Sequence, residues 1–281
     1  MAILDLLPPF LLGLVEPGFL LYYAIAAYVK TLLFCLLRER TIPTDLRGRA
    51  FGAFWSQISG TRPDPQVPLV GSMALVPGIF AEARGTVLEI GPGSGNQTHY
   101  YEPAIDQIKV IYGAEPAKEL HAMLKRNIND TELKGKYSIL SADATKASIG
   151  RELMHKGVVK TEASVEGLFD TIICVRVLCS VPNLDGVVSD LHSLLKPGGQ
   201  LLVLEHTANP WRSPKGSVVA RLVQTMYMLL GWKYFVGDCS LTQDIEEALR
   251  HDAFGRWETV TIERHFGKKV LTYISGALIR R

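Results

Sequence analysis

The stretch VLEIGPGSGNQTHYY, residues 87–101, carries the clearest fold signal in the chain. An apolar run leads into glycines at every second position, Gly91, Gly93 and Gly95, and the polar residues behind them predict the start of a helix. Glycines let the backbone turn sharply and approach a ligand, and a helix N-terminus offers it unpaired N–H groups. The spacing differs from the dinucleotide fingerprint G-x-G-x-x-G, in which the third glycine falls one place later.

Three acidic residues at predicted strand ends narrow the choice of ligand. Glu89 lies on the strand before the glycines, where a carboxylate suits an amino-acid ammonium group better than a pyrophosphate. Glu115 ends the next predicted strand, about 20 residues after Gly95, where it can accept hydrogen bonds from both hydroxyls of a ribose. Asp143 follows the third predicted strand and suits an adenine amino group, although it could equally cap a helix. Ligands of such sheets bind outside the carboxyl ends of the strands, so we expect the three carboxylates in one crevice.

The region from residue 85 onward predicts an α/β fold. Short β-branched runs alternate with longer helical stretches, which is typical of a parallel sheet with crossover helices. Two adjacent runs at the end of the chain predict a closing hairpin. The predicted strands cover residues 86–90, 110–115, 137–142, 171–177, 201–206, 258–266 and 270–279.

Composition excludes several classes of partner. Of 281 residues, 47% are hydrophobic and 21% charged, and the net charge is only +2, so nucleic acid is not an expected partner. The four cysteines are scattered without a CxxC pair, which indicates neither a disulfide framework nor a metal site. A reducing compartment fits this pattern, and core packing is the expected role of the cysteines.

The N-terminus is strongly apolar. Residues 6–15 are almost wholly apolar, EPG is expected to interrupt them, and residues 18–37 carry Lys30 as their single charge. The second run has about the length needed to cross a hydrocarbon core. A cleaved signal peptide is disfavoured because Asp5 occupies the usual place of a positive leader. We favour a membrane anchor, either spanning the bilayer or lying in its interface, over a helical hairpin packed on the domain.

Sequence composition divides the chain into three parts. Residues 1–40 form a hydrophobic membrane-anchoring segment, and residues 41–84 form a connector with helical pieces and a proline-dense loop over 61–69. Residues 85–281 form the α/β domain. Arginines follow the anchor, so the positive-inside bias would keep this domain cytosolic.

The motifs together resemble the class I S-adenosylmethionine-dependent methyltransferases. VLEIGPGSG looks like their first motif, GAEP their acidic second-strand end, SADA their adenine loop, and FDTIICVRVLCSVPN their fourth strand. The resemblance implies a Rossmann-like, mostly parallel seven-stranded sheet with a C-terminal antiparallel hairpin, and S-adenosyl-L-methionine as cofactor. The cofactor-binding residues that it implies are Glu89, Gly91, Gly93, Gly95, Glu115, Pro116, Asp143, Ala144 and Arg176.

A closer resemblance is to the methyltransferase-like seven group of membrane-anchored thiol S-methyltransferases. VLCSV, LLKPGG followed by EH, and GDCSLTQDIEEAL carry it, together with the apolar N-terminus. This chain departs from that group in its GPGSG loop and in an insertion over residues 151–167. The resemblance implies S-methylation of a small lipophilic thiol and a place on the cytosolic face of the endoplasmic reticulum or of lipid droplets, with a cytoplasmic location as the alternative.

Other acceptors remain open at this stage. A thiolate is a good nucleophile and needs little help from a base, whereas an alcohol or phenol gains more from one. The candidate catalytic residues are His206 and Asp238, with His99 as a weaker third, and each could instead have a structural role. The candidate substrate contacts are Trp211, Met226, Trp232 and Cys239. The alternatives are an O- or N-methyltransferase of a secondary metabolite or lipid, and a non-catalytic membrane scaffold.

Overall fold

The computed structural model describes residues 9–59, 64, 66–251 and 256–281. Its strands are β1 (Gly85–Ile90), β2 (Ile108–Ala114), β3 (Tyr137–Leu140), β4 (Phe169–Val175), β5 (Leu195–Thr207), β6 (Trp257–His265) and β7 (Thr272–Arg280). They form one sheet in the order β3-β2-β1-β4-β5-β7-β6. The first five strands pair in parallel, whereas β7 is antiparallel to both β5 and β6. The predicted α/β architecture with a C-terminal antiparallel pair is confirmed.

Helices cover both faces of this sheet. The α-helices are α1 (Pro9–Phe34), α2 (Leu46–Ser59), α3 (Val76–Ala81), α4 (Lys118–Asn129), α5 (Lys146–His155), α6 (Leu184–Leu194), α7 (Val218–Leu229), α8 (Trp232–Phe235) and α9 (Ile245–His251). Short 3₁₀ helices lie at Gly71–Leu75, Thr98–Gln107, Glu162–Val165 and Leu178–Ser180. A side-chain oxygen caps α5, α6 and α7, at Thr145, Asn183 and Ser217 respectively.

The alternation of buried side chains along the strands explains the two cores. On β4, Ile172 and Cys174 pack with α5, α6 and α9, while Ile173 between them packs with α3 and α4 on the other face. This is the two-residue period of a strand that is buried on both sides. Helices thus pack against both faces of the sheet, and the carboxyl ends of its parallel strands lie between them.

The N-terminal helix differs from the expected interrupted pattern. Helix α1 runs through EPG without a break, with Pro17 inside it, and a π-helical turn at Cys35–Glu39 extends it. A proline in a helix removes one backbone hydrogen bond. Here the hydroxyl of Tyr227 donates to the carbonyl of Leu14, at 3.1 Å, one residue after the Gly13 carbonyl that Pro17 leaves without its helical partner. The prediction of an interruption was wrong: the helix continues, and this contact packs it on the domain.

The segment after the glycines also differs from expectation. It forms the 3₁₀ helix Thr98–Gln107 instead of an α-helix. Pro103 lies inside it and can donate no backbone hydrogen bond, and a proline disfavours the α conformation of the residue before it. The turn therefore offers a ligand its glycine backbone and neighbouring side chains, without the N-terminus of an α-helix.

The predicted connector contributes to the core. Within residues 41–84, Phe54 of α2 and Phe80 of α3 are fully buried against the sheet domain. Residues 1–8 of the predicted anchor, and residues 61–63 and 65 of the predicted proline-dense loop, lie outside the described residues. The three-part division of the chain stays a prediction.

Candidate active site

The glycine loop after β1 has a backbone that only glycine adopts easily. Gly91, Gly93 and Gly95 have φ angles of 64°, 60° and 75°, in the left-handed region. A Cβ on Gly91 would lie 2.7 Å from the side chain of Val177, and one on Gly95 would lie 2.6 Å from that of Leu124. The loop is therefore packed closely by the turn after β4 on one side and by α4 on the other.

The carboxylate of Glu115 reaches into this loop from the end of β2. One oxygen accepts a hydrogen bond from the Gly93 amide at 2.9 Å, and the other accepts from the Ala117 amide at 2.8 Å. Burial raises the pKa of Glu115, and these two amide donors partly offset the effect. The carboxylate is thus fixed beside the glycine backbone at a strand end, and its role toward a ribose stays a prediction.

Glu89 is buried on β1, beneath the glycine loop. Its Oε2 accepts hydrogen bonds from the hydroxyls of Tyr137 and Tyr101, at 2.7 and 3.1 Å. Burial raises the pKa of Glu89 to about 7, because the two tyrosine donors offset only part of the cost of desolvation. The tyrosines hold the carboxyl group under the glycine turn, and its role toward an ammonium group stays a prediction.

The other predicted cofactor residues lie at the carboxyl ends of β2, β3 and β4. Pro116 is exposed and Ala144 is buried. Asp143 is exposed, and its Oδ1 accepts from the amide and hydroxyl of Thr145, at 2.9 and 2.6 Å, in the turn that leads into α5. This bonding matches the helix-capping alternative, although it leaves the second carboxylate oxygen of Asp143 for a ligand.

Arg176 follows β4 with a φ of 58°, which is unusual for a side-chain-bearing residue. Its guanidinium donates to the Ser72 hydroxyl at 3.1 Å and lies 5.8 Å from the centre of the Tyr273 ring. The buried Nε of Arg176 has no hydrogen-bond partner among the described residues. This donor at the carboxyl edge is available to a bound group.

A sulfur and imidazole cluster lies at the ends of β4 and β5. The Nε2 of His206 lies 3.1 Å from the Sγ of Cys239, and the indole N–H of Trp232 donates to the same sulfur at 3.1 Å. Cys179, in the turn after β4, completes the group, and all four side chains are buried. The hydrogen bond to Cys239, together with burial, raises the pKa of the Cys179 thiol well above its usual range. We call Cys179, His206 and Cys239 the Cys-His-Cys cluster.

The structure brings together only some of the predicted catalytic and substrate residues. His206, Trp232 and Cys239 are in contact, whereas the carboxylate of Asp238 forms an ion pair with Arg47 of α2. Trp211 and Met226 are exposed on the outer side of the α7 region. The roles assigned to these residues from sequence stay predictions.

Two residues near the site escaped the sequence prediction. Glu205 is fully buried, and its Oε1 accepts from the amides of Val177 and Leu178, at 2.9 and 3.0 Å, which fixes the turn after β4. Burial raises the pKa of Glu205 to about 7, against the effect of these two donors. Trp55 of α2 places its indole over Gly93, 2.8 Å from where a Cβ would lie. Glu205 could have been predicted from its place next to the candidate residue His206, but no local pattern indicated Trp55.

Comparisons with known proteins agree with this geometry. Residues 72–251 match the family model described as "Methyltransferase domain", and the chain belongs to that family. Its sheet order and the site at the carboxyl edge are those of class I S-adenosylmethionine-dependent methyltransferases. The solved CurJ carbon methyltransferase has the same fold, with a TM-score of 0.53 at 17% identity, over 91% of this chain and 67% of that one.

Curated relatives add a narrower similarity. The chain is 24% identical over 177 residues to Thiol S-methyltransferase TMT1B of Rattus norvegicus, which covers 62% of this chain and 63% of the rat protein. It is 32% identical over 89 residues to the Homo sapiens protein of that name, covering 32% of this chain and 34% of the human one. The chain thus spans less than two thirds of the length of each of these relatives.

The residues present fit S-adenosyl-L-methionine as the cofactor. The glycine turn admits no side chain, the Glu115 carboxylate lies beside it, and the orphaned Nε of Arg176 points to a missing acceptor at the same edge. When bound, this cofactor supplies a methyl group on a positively charged sulfur. The protein has to hold a nucleophile in line with that methyl group and exclude water.

Proposed function

We propose that this chain is an S-adenosylmethionine-dependent methyltransferase that methylates small lipophilic thiols at a membrane surface. The observation that carries the choice of a thiol is the bonding of the two candidate bases. His206 directs its Nε2 at the sulfur of Cys239, and Asp238 is paired with Arg47, so each candidate base already has a bonded partner. A thiol has a reference pKa of about 8.5 and is ionised to a few per cent at neutral pH, so it needs no strong base.

The similarity to thiol S-methyltransferases supports the same acceptor. The human and rat TMT1B proteins carry this activity in their names, and the alignment with the rat protein extends over 62% of the chain. Similarity of this degree supports the reaction class better than the identity of the acceptor. The choice of a thiol over other acceptors therefore has to rest on the residues around the acceptor site as well.

An exposed apolar surface beside the site supports a lipophilic acceptor. Helix α7 buries Gln224 and Tyr227 on one side and exposes Leu222 and Leu229 on the other, at 65% and 83%. Large exposed apolar surfaces on soluble chains are uncommon and mark contact with membranes or partners. Because α7 and α8 lie next to the Cys-His-Cys cluster, an acceptor dissolved in lipid would have a short path to it.

Helix α1 extends this surface. The segment Leu11–Glu39 is long and apolar enough to cross a membrane by length and composition. It buries Leu21, Ala24 and Ala27 against the domain, while many other side chains, such as Phe19 and Leu33, are exposed. A helix that lies along the domain over several turns fits an in-plane position in the bilayer interface better than a span.

Basic and aromatic residues rim the surface. Trp211 and Arg212 precede α7 with the guanidinium 4.7 Å from the indole centre, and Lys30 and Lys233 are also exposed. Aromatic rings and long basic side chains are favoured at the headgroup level. We propose membrane association on this basis. The endoplasmic reticulum or lipid droplet location rests on the resemblance alone.

A panel assay tests the acceptor. The full chain in vesicles is incubated with labelled S-adenosyl-L-methionine and alkyl thiols, alcohols, carboxylic acids and amines of equal chain length. We expect label in the thioether only, and loss of transfer in Gly93→Arg, whose side chain would enter the space held by Trp55.

Gly78→Arg is the matched control for that variant. Gly78 is exposed on α3, and a Cβ there meets nothing within 4 Å, so transfer should be kept. Label in oxygen or nitrogen acceptors alone would refute the thiol proposal. If the wild-type chain bound no S-adenosyl-L-methionine, the scaffold alternative would replace the enzyme.

A further inference from the structure

The Cys-His-Cys cluster is not explained by packing alone. Its three ligand atoms lie within 4.8 Å of one another, and none of the three residues is more than 7% exposed. The Nε2 of His206 lies 3.1 Å from the Cys239 sulfur, so a nitrogen and two sulfurs that can each ligate a metal face one another away from solvent. Polar groups buried in this way cost free energy, whereas apolar side chains in their place would not. Such a site is retained more readily if it binds something.

We propose that Cys179, His206 and Cys239 bind one Zn²⁺ ion, whose fourth position takes the sulfur of the acceptor thiol. Two cysteines and a histidine form an established ligand set for zinc sites that keep an open position. With Zn–S of about 2.3 Å and Zn–N of about 2.0–2.1 Å, a tetrahedral ion separates two sulfurs by about 3.8 Å, and sulfur from nitrogen by about 3.6 Å. Both values lie inside the span of the cluster.

The fit requires the ligand atoms to shift by about 1 Å or less, because all three already lie within 4.8 Å of one another. The His206 Nε2 and Cys239 Sγ atoms are 3.1 Å apart. To bind the ion they must separate by about 0.5 Å, which a small rotation of either side chain supplies. Cys179 lies in the 3₁₀ helix Leu178–Ser180. The amides of the two residues before it, Val177 and Leu178, donate to Glu205 and fix the backbone there.

Outer hydrogen bonds also suit a metal thiolate. The indole N–H of Trp232 donates to the Cys239 sulfur at 3.1 Å. Donors of this kind orient a ligating atom and offset its negative charge, and they are a regular part of metal sites. Trp232 is thus a positioning residue for the metal, with its ring buried against the surrounding core.

The cluster lies beside the methyl donor's loop. Val177, two residues before Cys179, contacts the place where a Cβ on Gly91 would lie, at 2.7 Å. An acceptor bound at the cluster is therefore next to the glycine turn, at the carboxyl edge where ligands of this fold bind. A metal at this position would hold the acceptor's sulfur at the same edge of the sheet as the methyl donor.

This role rests on the proposed thiol methylation and gives it a means of activation. The acceptor thiol binds the metal and releases its proton to solvent, because a coordinating thiol is deprotonated. Its sulfur then forms the new bond to the methyl carbon. The carbon–sulfur bond of the sulfonium breaks, with the electron pair left on the departing thioether. The neutral methylated product is a weaker ligand than the thiolate and can leave.

Metal analysis of the purified full chain tests the site without any assay of activity. We expect about one Zn²⁺ per chain by elemental mass spectrometry. His206→Asn and Cys239→Ala should each weaken Zn²⁺ binding by about 100-fold or more, since losing even an outer partner of a ligand costs 10–100-fold. Cys35→Ala and Cys174→Ala also remove buried thiols, but outside the cluster, and should keep the ion.

Cobalt replacement of the wild-type ion keeps the test independent of variants that fail to fold. We expect the absorption bands of a tetrahedral Co²⁺ thiolate, and a shift of these bands when an alkyl thiol, but not the matched alcohol, is added. Wild-type protein without stoichiometric metal, or with a Cys179–Cys239 disulfide in its place, would overturn the proposal. So would a cobalt spectrum that does not respond to thiol. A thiol-responsive metal in a chain that methylates no thiol would instead refute the proposed function and leave the metal site standing.

Discussion

The buried carboxyl group of Glu89 should make the stability of the protein fall as the pH rises from 4.5 to 7. Burial raises the pKa of Glu89 from 4.5 to about 7. Between these values the folded protein holds a proton that the unfolded chain has lost, so unfolding is favoured by a rise in pH. At about 1.4 kcal/mol for each unit of pKa, the loss is about 3 kcal/mol, complete just above pH 7.

Glu89→Gln removes this dependence while keeping the hydrogen bonds. The amide oxygen of glutamine can still accept from the hydroxyls of Tyr101 and Tyr137. We therefore expect the variant and the wild type to have similar stability at pH 5, and the variant to be more stable at pH 8. A gap of about 3 kcal/mol corresponds to roughly 6–12 °C in Tm for a chain near this size.

Thermal unfolding in detergent, followed by tryptophan fluorescence from pH 5 to 8, measures the gap. Glu102→Gln is the control, because Glu102 is exposed in the 3₁₀ helix that follows the same glycine loop. Its Tm should follow that of the wild type at every pH. A Tm difference between Glu89→Gln and the wild type that stays constant across this range would refute the assigned burial cost.

Three further predictions concern the cofactor, the candidate base and the membrane. Glu115→Gln should weaken S-adenosyl-L-methionine binding roughly 10- to 100-fold by calorimetry, as expected for hydrogen bonds to a charged group, and the exposed Glu119→Gln should not. Asp238→Asn breaks a half-exposed ion pair, so stability should fall by at most about 1 kcal/mol in urea unfolding. Because Asp238 is already paired with Arg47 and a thiol needs little help from a base, kcat for a thiol should fall less than about 10-fold, and a loss of about 100-fold would contradict the thiol proposal. Leu222→Glu with Leu229→Glu should lower vesicle binding by about 10-fold or more per leucine in flotation, with kcat for a water-soluble thiol unchanged.

The fold was predictable because its signals are local. The strand period, the lengths of the runs and the final pair of β-branched segments define a parallel sheet with a closing hairpin. The glycine loop was equally predictable. Gly91, Gly93 and Gly95 all adopt positive φ angles, a backbone demand that glycine meets at little cost and that sequence spacing reveals directly.

The Cys-His-Cys cluster needed information that the sequence holds only in part. Adjacent parallel strands align their carboxyl ends, so the ends of β4 and β5 could be expected to bring Cys179 near His206. Cys239 reaches the same place from the loop after α8, through a left-handed turn at Asp238, and no periodic pattern predicts that path. Spacing along the sequence could therefore not show that these three side chains meet, because they come from separate elements.

The same limit explains the misjudged N-terminal region. EPG reads locally as a helix stop, yet α1 continues through it and packs on the domain, where Tyr227 of a distant helix donates a hydrogen bond to the carbonyl of Leu14. Likewise, Trp55 belongs to a segment that reads as a connector, and its place over Gly93 depends on how α2 packs on the finished domain. Tertiary contacts override local propensity in both cases.

A short series of contacts joins the cofactor loop to the apolar surface. The turn at Val177 packs on Gly91, and the adjacent Cys179 faces His206 and Cys239. Cys239 accepts a hydrogen bond from Trp232, whose ring centre lies 6.1 Å from that of Tyr227. The hydroxyl of Tyr227 in turn donates a hydrogen bond to α1. The lipophilic acceptor that we propose would meet the cluster before the methyl donor if it entered on the side of α1 and α7. Such an entry would separate it from the charged cofactor, whose glycine loop lies at the other end of this series of contacts.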